Sequence, residues 1–520
     1  MVRRRDSRLP VSGLGPAAVA LVVVAFASAD GLSRAVAVAA STDALTTATS
    51  SRPNLVLILT DDQDLRLDSM SVMPRTRELL AGRGATFTNA FVPLSLCCPS
   101  RSTILTGLYP HNHRVLHNQA PVGGFQKFLD LGTEERTVAV ALHAAGYRTA
   151  LLGKYLNGYP QSDDLLHVPP GWDEWGVPVD GNPYGELRYS LNENGKAVVY
   201  GARPADYLTD VLAAKAVDFV GASAESTQPF FLYLALYAPH KPSTPAPRHA
   251  GMFLERRAPR PASFDEPDVR DKPARIRALP RLSAAAKREI DVLYRKRLQS
   301  LQAVDEAVAK VVAALAANGQ LERTYLFFTS DNGYHMGEHR MPPGKYTPYE
   351  EDVHVPLLVR GPGVPEGITI GALASSVDLA PTFAELAGAT LSAEPDGRSL
   401  VPLWQGAPPA DWRRVVLLEQ FDFNAEDDPP DDVLEPPEPG DKAGNLEYPS
   451  HLGLRLPEAK YVEYGNGEVE LYDLRHDPRE LQNLARRTAP ARLAELAQRA
   501  QALGACAGES CRQLEALPPP

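Results

Sequence analysis

Cysteine is scarce in this chain, with only four among 520 residues. So few cysteines exclude a small scaffold that depends on disulfides, and they leave no spaced His and Cys set for a structural zinc ion. A hydrophobic content of 44% and a charged content of 22% are typical of a globular protein. The length predicts one large domain and a smaller one.

An excess of positive charge is also lacking, because 53 Lys and Arg face 64 Asp and Glu and leave a net charge of −11. We therefore expect no nucleic-acid partner, and the charge also argues against processive binding of long polyanionic chains. Long apolar runs are missing too. The run at 16–27 (PAAVALVVVAFA) falls short of the ~20 residues that span a bilayer, so we expect no stable transmembrane anchor.

The N-terminal residues predict export. Arginines at 3–5 precede the apolar run, and the small residues at 27–29 (ASA) offer a cleavage site. We therefore expect a signal peptide at 1–29, a polar tether at 30–52, and an exported protein, either secreted or extracytoplasmic. An uncleaved membrane anchor is the alternative interpretation of the same run.

Short, continuous apolar runs alternate with helical patterns up to about residue 405. Such runs are typical of strands buried on both faces, and the alternation predicts an α/β domain with a mostly parallel central sheet flanked by helices. The predicted strands are 55–59, 149–152, 230–237 and 325–329. The predicted helices are 134–145, 205–221, 286–316 and 378–387. We assign this catalytic domain to residues 53–404.

Polar residues that can do chemistry follow each predicted strand directly. Open α/β sheets bind ligands beyond the carboxyl ends of their strands, so these residues should meet at one edge of the sheet. They are Asp61, Asp62, Lys154, His240, Asp331 and Asn332. One Asp-Asp pair alone favours a helix cap or a turn. The second pair, in the same context, favours an all-oxygen site for Ca²⁺ or Mg²⁺.

The composition changes after about residue 405, and residues 405–520 predict a smaller α+β domain with a short antiparallel sheet. Its acidic, proline-rich segment 424–442 predicts an exposed loop. The predicted elements are strands at 452–456, 460–463 and 469–474 and a helix near 489–503. In an exported protein, Cys506 and Cys511 can pair and close a small loop.

The other two cysteines stand side by side in the stretch CCPSRSTILTG at 97–107. A disulfide between neighbours is strained, so Cys97 and Cys98 need another explanation. A short helix is predicted over Ser100–Leu105, ended by Gly107, and a helix N-terminus would lower the thiol pKa and favour a thiolate nucleophile. A pair of small buried cysteines is the structural alternative. Sulfur fits poorly beside a hard cation, which indicates that the working atom at this position does not remain sulfur.

This stretch resembles the signature of the sulfatase family, in which Cys-x-Pro-Ser-Arg is followed by a Thr-Gly pair. The resemblance extends from about Pro53 to Arg512 and includes NLVLILTDDQD, GKYLNGY, APHKP, FFTSDNGYHMGEH and GKYTPYEEDVHVPLLVRGPG. It implies an alkaline-phosphatase-like fold. In this family a formylglycine-generating enzyme oxidises the first cysteine, which implies that Cys97 becomes 3-oxoalanine (formylglycine). The stretches CCPSR, PHNH, GKYLN and CAGESCR look most like N-acetylglucosamine-6-sulfatases and extracellular heparan-directed sulfatases.

The resemblance also implies roles for individual residues. The residues implied to hold Ca²⁺, with Mg²⁺ the weaker alternative, are Asp61, Asp62, Asp331, Asn332 and the diol formed from Cys97. Those implied in attack on sulfur, charge stabilisation and protonation are Cys97, Arg101, Lys154, His240 and Lys345. Candidate substrate contacts are His113, His335 and His339, which are also candidate bases together with His111 and His117. A structural role is the alternative for each histidine. Leu156 stands where many arylsulfatases carry a histidine, a difference shared by the glucosamine-type members.

These features predict an exported sulfatase that hydrolyses sulfate esters. The favoured substrate is a 6-O-sulfated N-acetylglucosamine or a similar sulfated sugar, and aryl sulfates should be accepted. One alternative is a phosphomonoester or phosphonate ester hydrolase of the same superfamily. Another is a non-catalytic glycan-binding protein with an unconverted Cys97.

Overall fold

The computed structural model describes residues 52–160, 164–406, 408–422 and 449–519. Continuous apolar runs form the central strands of a ten-stranded sheet, and the remaining strands of the described residues belong to two smaller sheets. The strands are β1 (Asn54–Thr60), β2 (Ala85–Phe87), β3 (Ala90–Phe91), β4 (Arg148–Gly153), β5 (Glu174–Gly181), β6 (Tyr189–Glu193), β7 (Ala197–Tyr200), β8 (Phe230–Ala235), β9 (Thr324–Ser330), β10 (Leu357–Arg360), β11 (Ile368–Ile370), β12 (Ala374–Ser375), β13 (Val416–Gln420), β14 (His451–Arg455), β15 (Ala459–Tyr464) and β16 (Val469–Asp473). The helices are α1 (Pro74–Thr76), α2 (Cys97–Thr106), α3 (Pro110–His113), α4 (Gly124–Asp130), α5 (Val138–Ala144), α6 (Leu208–Ser223), α7 (Ala274–Arg277), α8 (Ala284–Ala317), α9 (Glu350–Val353), α10 (Leu379–Ala387), α11 (Val401–Gln405), α12 (Pro490–Leu503) and α13 (Glu509–Ala516). The signal peptide at 1–29, the tether apart from residue 52, and the acidic loop at 424–442 lie outside the described residues and stay predictions.

The large sheet has the order β11-β2-β10-β9-β1-β8-β4-β5-β6-β7. The five strands from β9 to β5 run parallel, whereas β10 on one side and β6 and β7 on the other run antiparallel to their neighbours. The four strands predicted from apolar runs are β1, β4, β8 and β9, which all lie within the parallel block. The predicted α/β class, with helices flanking this sheet, is confirmed.

Strand β1 is apolar throughout because alternate side chains enter two different cores. Leu55, Leu57 and Leu59 join the core that is covered by α5 and α10. Val56 and Ile58 join the core under α6 and α8. All five side chains are fully buried, and burying each contributes ~1.5–3 kcal/mol relative to exposure. The strand that carries the first acidic pair is therefore held firmly from both faces.

The C-terminal part forms the predicted small antiparallel sheet, with strands in the order β13-β14-β15-β16. Helix α12 packs against it through Leu496 and Leu503, which share a core with Leu454. A disulfide joins Cys506, which follows α12, to Cys511 in the first turn of α13. Residues 51–520 form one compact unit, so the predicted boundary between 404 and 405 stays a prediction. Within the described residues, no helix is both long enough and apolar enough to cross a membrane.

Candidate active site

The loops that follow four neighbouring parallel strands carry the predicted polar residues to one edge of the sheet. They are Asp61 and Asp62 after β1, Lys154 after β4, His240 after β8, and Asp331 and Asn332 after β9. Asp62 has a left-handed backbone with φ 64°, and its N–H donates to Oδ1 of Asp331 at 3.0 Å. Asn332 Nδ2 donates to Oδ1 of Asp62 at 2.7 Å. The β1 and β9 loops are therefore bonded directly to each other.

Cys97 is the first residue of α2, and all ten residues of this helix are buried. Gly107 ends the helix in the left-handed conformation with φ 72°, where a Cβ would lie 3.1 Å from Cδ of Pro381. At the other end, the N–H of Cys98 donates to Oδ1 of Asn118 at 2.9 Å. The start of the helix is thus fixed, and with it the side chain of Cys97.

Buried basic side chains hold the carboxylates of this cluster. Nε and Nη2 of the fully buried Arg101 both lie 2.8 Å from Oδ2 of Asp331. Its Nη1 donates to the carbonyl oxygen of Lys154 at 2.9 Å. Lys154 Nζ in turn lies 2.6 Å from Oδ2 of Asp61. Because an unpaired buried charge is costly, each member of the set depends on the others.

The side chain of Cys97 ends between an ammonium group and a carboxylate. Lys345 Nζ lies 2.9 Å from Sγ of Cys97 and 2.8 Å from Oδ1 of Asp62. Oδ1 of Asp61 lies 3.4 Å from the same Sγ. Lys345 is thereby brought to the cluster from a loop that precedes α9, far from the β1 loop in sequence.

His240 faces the same cluster. Its Nδ1 lies 2.7 Å from the carbonyl oxygen of Lys241, and since a carbonyl only accepts, Nδ1 carries a proton. Its Nε2 lies 3.5 Å from Oδ2 of Asp62. The ring of Tyr184, from the loop between β5 and β6, lies 4.6 Å from the imidazole ring and 5.0 Å from Lys154 Nζ. No local sequence signal marks Tyr184, because its loop reaches the site only through the hairpin beyond β5.

Two oxygen atoms of the cluster fit a metal ion. Oδ2 of Asp62 and Oδ1 of Asn332 are buried and accept no hydrogen bond within the described part of the chain. Asp61, Asp62, Cys97 and His240 each offer a ligand atom, and these atoms lie within 4.8 Å of one another. A buried oxygen without a donor is costly unless a cation meets it. The donors present therefore fit a hard divalent cation.

The pKa values in the cluster reflect burial and the neighbouring charges. Burial would raise the pKa of Asp61, but Lys154 and the other nearby cations outweigh burial and hold that pKa well below its ordinary value. Burial, and then the charge of Asp61, raise the pKa of Asp331 to about 6. Burial and Asp61 also raise the thiol pKa of Cys97 far above its ordinary value, despite Lys345. The lower thiol pKa that a helix N-terminus would favour is therefore not found, because the cost of burying the charged form is larger.

Two of the five candidate histidines lie beside the loop that carries the second lysine. His335 Nδ1 lies 2.9 Å from both carboxylate oxygens of Asp352. Its backbone exchanges hydrogen bonds of 2.8 and 3.0 Å with Gly344. The ring of His117 lies edge-on to that of Tyr346, with 6.0 Å between centroids. Their predicted contacts with substrate, or their action as a base, stay predictions.

The other three histidines are engaged elsewhere. Their partners are Thr103 and Val115 for His113, Glu266 for His339, and Glu419 and the Cys506 carbonyl for His111. Burial lowers the pKa of both His113 and His339 to about 3, so their rings are neutral at neutral pH. None of these contacts involves the carboxylate cluster, so the structure does not bring these three histidines to it.

Two supporting residues were missed by the sequence prediction. Arg297, only 1% exposed in the middle of α8, donates from Nη2 to the carbonyl oxygen of Asp62 at 2.5 Å. It has a leucine four residues before it and another four after it, so its place on the apolar face was a readable signal. Ser100 donates its hydroxyl to the carbonyl oxygen of Asp331. Its position near the helix start alone gave no such signal.

Known proteins match both this sequence and this fold. The family model described as Sulfatase matches residues 53–389. The N-acetylglucosamine-6-sulfatase of Capra hircus is 38% identical over 484 residues, which cover 89% of this chain and 85% of that protein. The extracellular sulfatase SULF-1 homolog of Drosophila melanogaster is 40% identical over 355 residues, covering 68% of this chain and 31% of that protein. A solved structure in complex with its substrate D-glucosamine-2-N,6-O-disulfate has a TM-score of 0.70 and 25% identity, covering 90% of this chain and 99% of that one. This chain therefore belongs to the sulfatase family, has the alkaline-phosphatase-like sulfatase fold, and is a sulfuric ester hydrolase.

Proposed function

We propose that this enzyme is exported and removes sulfate from a sulfated sugar, using a formylglycine made from Cys97 and a bound Ca²⁺. The observation that carries the proposal is the place of the Cys97 side chain, between Lys345 Nζ at 2.9 Å and Asp61 Oδ1 at 3.4 Å. A thiol with a raised pKa is a weak nucleophile. A hydrated aldehyde at this position would supply a hydroxyl oxygen, which suits both a hard cation and attack on sulfur.

The charges of the cluster support a divalent cation. The residues that would hold Ca²⁺, together with residue 97, are Asp61, Asp62, Asp331 and Asn332. The three carboxylates among them face three basic side chains, Arg101, Lys154 and Lys345, so the set is close to neutral. A divalent cation would make the site positive and favour an anionic sulfate ester.

Side chains of this protein would bind the sulfate group, stabilise developing charge and protonate the leaving group. Lys154 and Lys345 hold ammonium groups beside residue 97, where they can bind sulfate oxygens and stabilise charge as it develops. Arg101 donates from Nε to Asp331 and from Nη1 to a backbone carbonyl, so it orders the start of α2 and offsets buried charge. His240 carries one proton on Nδ1. In its doubly protonated form it carries a second proton on Nε2, which it can give to the leaving oxygen as the bond to sulfur breaks, and it then acts as a general acid.

The relatives support the choice of substrate and compartment. The Capra hircus relative is named for N-acetylglucosamine-6-sulfate, and the similar solved structure holds a glucosamine with a 6-O-sulfate as its substrate. We therefore favour a 6-O-sulfated N-acetylglucosamine, with aryl sulfates also accepted. The Drosophila relative is named extracellular, in keeping with the predicted signal peptide at 1–29. Maturation would need a formylglycine-generating enzyme in the producing cell.

Kinetics on matched substrates test this function. Calcium-loaded protein converted at residue 97 should hydrolyse N-acetylglucosamine-6-sulfate, and it should hydrolyse 4-nitrophenyl sulfate faster than 4-nitrophenyl phosphate. A higher kcat/KM on the phosphate would favour the phosphomonoester or phosphonate ester hydrolase instead. Glycan binding without hydrolysis of either ester would favour the non-catalytic glycan-binding protein.

A further inference from the structure

A groove of ≈ 370 Å³ lies along the first turns of α8, outside the carboxylate cluster. Three basic side chains, Lys241, Arg288 and Lys296, line it together with one acidic side chain, Glu289. The other four lining residues are apolar, and one of them, Val292, is 45% exposed. Apolar side chains beside a local excess of positive charge favour binding of a ligand that has both an apolar face and negative charge.

The groove adjoins the active site along two separate elements. Lys296 immediately precedes Arg297, whose guanidinium donates to the carbonyl oxygen of Asp62 at 2.5 Å. Lys241 immediately follows His240, whose Nε2 lies 3.5 Å from Oδ2 of Asp62. Lys296 and Lys241 are therefore each one residue along the chain from a residue whose side chain contacts Asp62.

Two of the three basic side chains at the groove, Arg288 and Lys296, are exposed and are not paired with protein groups in the described part of the chain. Other basic residues of α8 do have partners, since Lys287 lies 2.7 Å from Asp265 and Lys310 lies 3.1 Å from an aspartate on α6. In a chain of net charge −11, unneutralised positive charge beside the active site points to an anionic ligand.

We propose that this groove binds a second anionic sugar unit of the substrate, next to the sugar that loses its sulfate. This proposal rests on the proposed function and makes its substrate class a sulfated oligosaccharide. The ring face of the second sugar would lie on Val292, and its sulfate or carboxylate would meet Arg288 and Lys296. The negative net charge that argues against binding long polyanionic chains is thereby offset locally.

The test compares two substrates of the calcium-loaded enzyme converted at residue 97. One is N-acetylglucosamine-6-sulfate, and the other is a sulfated tetrasaccharide of glucosamine and uronic acid with the same sugar at its non-reducing end. In the double variant Arg288→Gln, Lys296→Gln, the ratio of kcat/KM for the tetrasaccharide to that for the monosaccharide should fall roughly tenfold, mainly through KM. Added NaCl should lower this ratio in the wild type more than in the variant.

Lys310→Gln is the matched control, because it removes a positive charge from the same helix ~21 Å further along. It should leave both substrates unaffected. An unchanged ratio in the double variant, with wild-type hydrolysis of the monosaccharide ester, overturns the second-sugar site and leaves the proposed function standing. Failure of the converted wild type to hydrolyse either sugar overturns both.

Discussion

Asp62→Asn should abolish the stabilisation of this protein by calcium. Oδ1 of Asp62 accepts hydrogen bonds from Lys345 and Asn332, and an asparagine oxygen can accept both. Oδ2 is the oxygen that accepts no hydrogen bond among the described residues, so its replacement removes a metal ligand. The variant also loses the negative charge beside Lys345 Nζ, so its calcium-free Tm should fall, and the calcium effect is measured as the rise above each protein's own calcium-free Tm.

The size of the calcium effect follows from the size of the folded unit. Unfolding entropy of ~2.1 cal/mol/K per residue over the roughly 470 residues of 51–520 gives ~1 kcal/mol per degree of Tm. A ligand at a hundred times its Kd stabilises the folded state by ~2.7 kcal/mol. Saturating calcium should thus raise the wild-type Tm by ~3 °C, and the variant should lose this rise.

Differential scanning calorimetry with calcium and with a chelator measures the calcium-free Tm and the rise in Tm that calcium causes. Asp64→Asn is the matched control, because Asp64 lies two residues along the same loop and is equally buried. Its carboxylate contacts Arg297 and the Leu67 N–H and no side chain that would hold the metal, so the calcium rise should persist. A full calcium rise in Asp62→Asn, or no rise in the wild type, would refute the assignment of Asp62 as a calcium ligand.

Three further predictions concern other parts of the molecule. Lys345→Ala should lower kcat on aryl sulfate by ~10²–10³-fold, because it removes a charge beside residue 97; near-normal kcat would contradict its role. Burial raises the pKa of Glu186 to about 8. The folded state therefore loses stability when this carboxyl ionises, and the loss is absent below the unfolded pKa and grows as pH rises through the folded pKa. Glu186→Gln keeps an acceptor for the Thr209 N–H, so it should raise Tm by about 2 °C at pH 9 and by less at pH 5, and an equal change at both values would exclude this cause. Replacing Cys506 and Cys511 by alanine should cost about 2 kcal/mol, or ~2 °C in Tm, with kcat retained, because their loop is short; a large loss of kcat would show that the disulfide supports the site.

The inner strands could be predicted from the sequence because their signal is local. β1, β4, β8 and β9 are buried on both faces, so each is a continuous apolar run followed by polar residues. β5 was missed because EWGVPVDG contains Gly, Pro and Asp, which weaken a strand pattern. Its pairing with β4 and β6 comes from the tertiary fold, where the strand register is set by neighbours.

The site was predictable where the chemistry follows a strand end, and less so where it depends on burial. Asp331 could be placed because it follows β9, and the parallel order brings it to the β1 loop. His113 and His339 could not be distinguished from the other candidate histidines in the sequence. In the structure, burial keeps both rings neutral, and both are hydrogen-bonded to residues outside the carboxylate cluster. The same limit applies to Cys97, since the helix start was readable and the larger cost of burying its charge was not.

The central claim is that residue 97 acts as an aldehyde, and the mass of its peptide tests it most directly. Protein isolated from the medium or envelope of its native producing cell should give a peptide ~18 Da lighter than the cysteine form, as expected for a thiol converted to the aldehyde of a covalent catalyst. Sulfatase activity should rise in proportion to the converted fraction across preparations. Full activity in protein whose residue 97 is quantitatively unmodified cysteine would contradict the account.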